Sequence, residues 1–304
     1  MGTLRFPVRE TPLFAARGGS LFVLVAPSRR AASITVMREG AGGTITSRRV
    51  PFALSYYLMD VSAGPEGVYA GTAVIKRFTN VPDVLVRIDP ETLAVRARAS
   101  FSSRVAAVEQ GRSMWASIGD GRVVRLDPRT LAIEASRRLL SVAAVSMKGL
   151  SLSKPAFGLG SLWVLAGDAL DRELVRLDPV SLAVRSKTRL SVGVARAVGT
   201  RVIAGSGHVY LVGAAVVGVD ARGKLVGRPV AVPDLAIADI HGSGLVGLTA
   251  ANPALVLLNS QGRIVARTSV RDDSLLLTVS GDNAWFLGDA GHENGIVHVH
   301  LKRR

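Results

Sequence analysis

The segment VLVRIDPETLAVRARA at positions 84–99 recurs as VVRLDPRTLAIEASRR at 123–138 and as LVRLDPVSLAVRSKTR at 174–189. Two looser copies follow, VVGVDARGKLVGRPVAV at 216–232 and LVLLNSQGRIVARTSV at 255–270. Ahead of each copy lies a short segment with a large side chain (GVYAG, SMWAS, SLWVL, HVYLV and GLVGL). Following that large position along the chain gives Phe22, Tyr69, Trp115, Trp163, Tyr210, Val246 and Trp285, at intervals of 47, 46, 48, 47, 36 and 39 residues. A chain built from seven such units has little freedom in how it folds. Each unit is too small to bury its apolar faces alone, so neighbouring units must stack.

A period of roughly forty to fifty residues is that of propeller blades, each a four-stranded antiparallel sheet. In the third unit, alternating apolar positions bounded by Gly, Asp and Pro predict strands over Val105–Gln110, Met114–Ile118, Arg122–Asp127 and Leu131–Ser136. No run is long enough for an extended helix. The seventh unit offers strands near 275–280, 284–288 and 296–301, one short of a blade, and the N-terminal stretch 3–9 supplies the fourth. Pro7 is tolerable there because an outermost strand is an edge. The expectation is an all-β fold: one seven-bladed β-propeller domain over residues 1–304, without linkers and with its last blade completed by the N-terminal strand.

The pattern of a glycine, a small-large-apolar strand and then V-x-R-[IL]-D-P-x-[TS]-L-x-V resembles the repeats of the YVTN and streptogramin-lyase-like propellers. That resemblance covers nearly the whole chain and is carried by structural positions, so it speaks to fold. The lyases of that group use histidine and glutamate with a divalent metal. His241, His292 and Glu293 are the nearest constellation here, and they do not match the family's motif residue by residue.

Repetition also separates structure from chemistry. Asp89-Pro90, Asp127-Pro128 and Asp178-Pro179 are followed by Thr92, Thr130 and Ser181. Asp can accept backbone N–H groups of a turn while Pro pre-sets the next φ. Identical chemistry in successive units is what a turn requires, whereas a reaction needs different groups converging on one point. The functional face is therefore expected opposite these turns, where the connections between second and third strands and those leading into each blade come together. The longest insertion there, GTAVIKRFTNVPD (71–83), carries Lys76, Arg77 and Phe78, with Tyr56 and Tyr57 on the segment leading into the same unit. GDALDRE (167–173) adds Asp168, Asp171 and Glu173.

The net charge is +15, with lysine at only six positions and arginine carrying the rest. Arg48, Arg49, Arg96, Arg98, Arg137, Arg138, Arg185, Lys187, Arg189, Arg263 and Arg267 fall on predicted fourth strands. Charge on a sheet edge opposes aggregation. The alternative is a basic rim for nonspecific nucleic acid, but the aromatic interleaving of single-strand binders is missing. His298 and His300 alternate onto one face of a strand, a spacing a metal could bridge. Yet they occupy positions held by arginine and aspartate in other units, so no metal is assigned.

The chain has no cysteine, which excludes disulfides and thiolate chemistry. With little Gln and Asn, this is the composition expected of a cytoplasmic, thermophilic protein. No apolar run reads as a membrane span or secretory signal, and there is no phosphate loop or nucleophile elbow. The sequence points to a binding or scaffold propeller with a protein partner and no cofactor. It leans away from an enzyme; the runner-up is a metal-dependent lyase or hydrolase over the central channel.

Overall fold

The structure is a computed structural model. It describes residues 4–6, 12–25, 33–40, 44–51, 56–74, 83–110, 113–148, 151–168, 171–198, 201–205, 207–232, 235–241, 244–250, 252–270, 277–289 and 294–301. Among these residues the strands assort into seven antiparallel sheets; six follow chain order from first strand to last, and in the seventh the N-terminal strand joins the last three strands of the chain. Contacts divide the chain into two compact units. Phe6–Val145 holds the first three sheets, and Met1–Arg5 with Ser146–Arg304 holds the other four.

Blade 3 shows the repeating pattern: Val105–Gln110, Ser113–Ile118, Arg122–Leu126 and Ile133–Arg138, hydrogen-bonded in that order. Its second strand is almost wholly buried and its fourth almost wholly exposed. The large residue that marks the repeat sits in the second strand of every blade. All seven, from Phe22 to Trp285, are at most 2% exposed. Opposite it on the third strand stands Arg38, Arg87, Arg125, Arg176 or His298 in five of the blades. In blade 4 the Arg176 guanidinium lies 5.8 Å from the Trp163 ring centre, within cation–π range. Blade 7 consists of Leu277–Ser280, Asn283–Asp289 and Asn294–His300, completed by Leu4–Phe6 paired to the third of these. The N-terminal strand does finish the last blade.

The predicted fourth strand of blade 3 began at Leu131; the observed one begins at Ile133. Leu131 has φ +63° and is buried, as are Leu93 (φ +54°) and Leu182 (φ +57°) in the equivalent turns. A left-handed leucine cannot be strand, and its side chain plugs the core beneath the turn. Two short helices, Val142–Lys148 and Val192–Ala197, were also not anticipated. Both lie between a fourth strand and the next first strand. Each starts on a serine, Ser141 or Ser191, whose hydroxyl accepts from the N–H three residues on. No helix among the described residues is long and apolar enough to cross a membrane.

Candidate functional site

The Asp-Pro turns are structural. In each, one carboxylate oxygen accepts the backbone N–H groups two and three residues on and the hydroxyl at the third: Asp89 from Glu91 and Thr92, Asp127 from Arg129 and Thr130, Asp178 from Val180 and Ser181. These bonds favour the ionised form. The Thr92 N–H, with further bonds from the Thr92 hydroxyl, Arg96 and Glu91, holds the Asp89 carboxyl down to about 2. Asp127 and Asp178 are lowered too, chiefly by the Thr130 and Ser181 N–H groups.

Turns also tie one blade to the next. In the three-blade unit, the Tyr69 hydroxyl donates to the Pro128 carbonyl at 2.9 Å, Arg129 pairs with Glu66, and Arg38 pairs with Glu91. Buried Glu109 accepts the Glu66 N–H at 2.9 Å, and burial pushes its carboxyl up. In the four-blade unit, Tyr210 donates to the Ser260 carbonyl and Thr188 to that of Gly223.

Outer-strand cations are engaged in the same way. Arg96, Arg185, Lys187 and Arg189 pair with Asp89, Asp178, Glu173 and Asp171. Arg48, Arg98, Arg138 and Arg267 donate to backbone carbonyls. These side chains have local work, and the arrangement lends no support to a rim built for nucleic acid.

His298 takes over the arginine's role in blade 7. Its ring stacks on Trp285 with centroids 4.8 Å apart, and its Nε2 lies 2.9 Å from Asn283 Oδ1. His300 Nδ1 is 3.4 Å from the same oxygen. Among the described residues no group of three His, Cys, Asp or Glu side chains is placed to hold a metal. His241 ends the first strand of blade 6, where that strand turns into the second. His292 and Glu293 lie outside the described residues, in the chain joining the second and third strands of blade 7.

Lys76, Arg77 and Phe78 are likewise outside the described residues. Tyr56 and Tyr57 open the first strand of blade 2, Tyr56–Gly64, and pair in register with Val74 and Ala73. Val74 is the last described residue before the Lys76–Phe78 stretch. Register therefore brings the two tyrosines and the start of that insertion to one end of one hairpin.

Sequence reasoning missed a set of charges on first strands. In blade 4 the first strand is broken between Ser151–Leu152 and Ala156–Gly158. Ser153 keeps the ladder going through its hydroxyl, which accepts the Leu165 N–H at 2.9 Å. Three residues (153–155) thus face two (164–165), a bulge that re-aims the chain at Lys154. Arg201 opens the first strand of blade 5, and Asp239 lies in that of blade 6. The Asp239 carboxylate accepts its neighbour Ile240's N–H at 2.8 Å and the Val279 N–H of blade 7 at 3.1 Å. Burial pushes Asp239 up, against these bonds and the opposing pull of Lys154 and Arg201. Arg201 keeps exposed surface, yet desolvation lowers its guanidinium, offset by Asp239. The one available signal was charge inside apolar first-strand patterns, as in LAIADIH.

No family model matches the chain, and no curated protein matches it by sequence. Solved structures do. BamB from Moraxella catarrhalis aligns over 96% of this chain and 99% of its own, at 15% identity and a TM-score of 0.56. A chain of the mitotic checkpoint complex aligns over 97% and 95%, at 12% identity and 0.68. The Cps50 (Swd1) β-propeller domain of Myceliophteria thermophila aligns over 97% of each chain, at 11% identity and 0.64. At these identities the likeness establishes fold alone: this chain is a seven-bladed β-propeller.

Proposed function

We propose that this chain is a binding propeller of one domain, 1–304, engaging a protein partner through the face opposite its Asp-Pro turns. Lys76, Arg77, Phe78, Tyr56 and Tyr57 form the centre of contact. The observation that carries this reading is the register of blade 2, which sets Tyr56 and Tyr57 against the root of the Lys76–Phe78 insertion. Arg with aromatic side chains is the composition of interface hot spots. The turn face, by contrast, is spent on bonds between blades. One fold neighbour is a component of a multiprotein complex, the kind of role this reading assigns. Residence in the cytoplasm accords with a chain lacking cysteine.

Affinity purification from the source organism tests this. The intact chain should recover a stoichiometric partner. Lys76→Glu, Arg77→Glu and Phe78→Ala combined should weaken that complex at least about tenfold, with an unchanged thermal midpoint. Undiminished binding by that variant would overturn the reading, as would tight stoichiometric metal with no partner.

A further inference from the structure

The outer strands of the blades share a register and differ in what they present. In blades 2, 3, 4 and 6 the fourth strand carries one bulged residue just past the turn: Arg96, Glu134, Arg185 and Val265. The first three are ion-paired, Arg96 with Asp89, Glu134 with Arg125 and Arg185 with Asp178. A valine can form no such pair, and Ile264 and Val265 stand 40% and 57% exposed. Among the fourth strands of blades 1 to 6, that of blade 6, Ile264–Ser269, alone is exposed at every position.

A sheet edge leaves alternate backbone N–H and C=O groups pointing away from its partner, and proteins blunt it with charge, proline or irregularity. Blade 1 has Arg48, Arg49 and Pro51 on its edge, and blades 2 to 4 carry two or more charged residues each. Blade 5 also exposes a valine, Val226, but Gly227 (φ +75°), Pro229 and a register shift break its strand. Past Val265 the edge of blade 6 is regular, with Ala266 to Ser269 running against Leu257 to Ala254. No described strand pairs with its outer side. Its charge is also one-sided. Residues 255–270 hold Arg263 and Arg267 and no carboxylate, whereas each of the other four copies of the repeat holds at least one. Arg267 donates to the Asn252 carbonyl, and the exposed Arg263 side chain bonds no described residue.

We propose that the outer strand of blade 6 is a docking edge for an extended acidic segment of a partner protein, added to the blade as a fifth strand. Main-chain pairing supplies the affinity of such an addition, and the side chains select the sequence. Ile264 and Val265 offer apolar contact, and Arg263 and Arg267 call for carboxylates. A second copy of this chain is disfavoured as the occupant, since it would bring the same two arginines and a net charge of +15 against an edge already basic. The site is independent of the protein-partner reading, which concerns the hairpin end of blade 2.

The test titrates the full chain with a short synthetic peptide of alternating glutamate and valine. Binding should be saturable, weaken with salt, and slow amide exchange at 264–269. An otherwise identical peptide with a central proline, which cannot donate to the ladder, should bind at least about tenfold more weakly. Arg263→Glu combined with Arg267→Glu should also weaken binding about tenfold or more, with an unchanged thermal midpoint because both side chains are exposed. The combined Lys76, Arg77 and Phe78 variant should bind the peptide as the parent does, so that failure at one site is told apart from failure at the other. No protection at 264–269, equal binding of the proline peptide, or binding that survives the charge reversal would overturn the assignment. So would a dimer of the parent chain that Arg263→Glu and Arg267→Glu dissolve, or tighter binding of oligothymidylate than of the peptide.

Discussion

Blades 2 to 4 and blades 5 and 6 close the same hairpin with different residues. The first three use five positions after the second strand pair meets: Asp, Pro, a variable residue, Thr or Ser, and a buried left-handed leucine. The other two use four. Asp220 and Asn259 accept the N–H groups two and four residues on, and Gly223 (φ +90°) and Gly262 (φ +76°) hold the left-handed position. The acceptor survives in all five turns while the charge, the proline and the leucine do not. What a hairpin needs is an oxygen that gathers backbone N–H groups and one residue with positive φ. Leucine accepts a backbone cost of about 1–2 kcal/mol there because burying its side chain returns roughly 1.5–3 kcal/mol.

That comparison can be broken at Leu131. Leu131→Ala should cost about 2–5 kcal/mol in urea unfolding. Leu131→Gly should cost less than alanine by about 1 kcal/mol, since glycine adopts positive φ freely. The reverse order would mean that the leucine is not held against strain. In blade 5 the matching change is Gly223→Ala. It adds strain at φ +90° and a Cβ 3.1 Å from Ser186 Oγ, for an expected loss of about 1–2 kcal/mol.

The smallest effect is electrostatic. Asp89, near 2 in the folded chain against about 3.9 unfolded, contributes stability that is full above the unfolded value and lost as pH falls toward 2. Asp127 and Asp178 act in the same direction. Asp89→Asn gives blade 2 the neutral acceptor of blade 6. It should cost no more than about 1 kcal/mol at neutral pH and flatten the fall in thermal midpoint between pH 4 and 2. An unchanged acid limb would remove Asp89 from this account.

How much of this was legible follows from the same residues. The strict copies announced themselves through Asp-Pro-x-Thr/Ser-Leu, and the large second-strand residue carried the period into blades 5 and 6, where shorter turns erase the motif. Leu131 misled because a buried leucine beside a strand pattern reads as strand; nothing local signals positive φ in a residue other than glycine. The short helices escaped because LSVAAVSMK and LSVGVARAV hold too few residues for a helical period to show. The first-strand charges escaped for a different reason. Lys154, Arg201 and Asp239 are separated by dozens of residues and share no motif, so only the stacking of blades relates them.

The central claim is that the repeated turns hold the propeller together while the opposite face binds. Hydrogen exchange of the full chain, with and without the partner recovered by affinity purification, tests it most directly. New protection should concentrate at 56–57 and 71–83, with the turns at 89–94, 127–132 and 178–183 unchanged. Protection centred on those turns instead would contradict the claim.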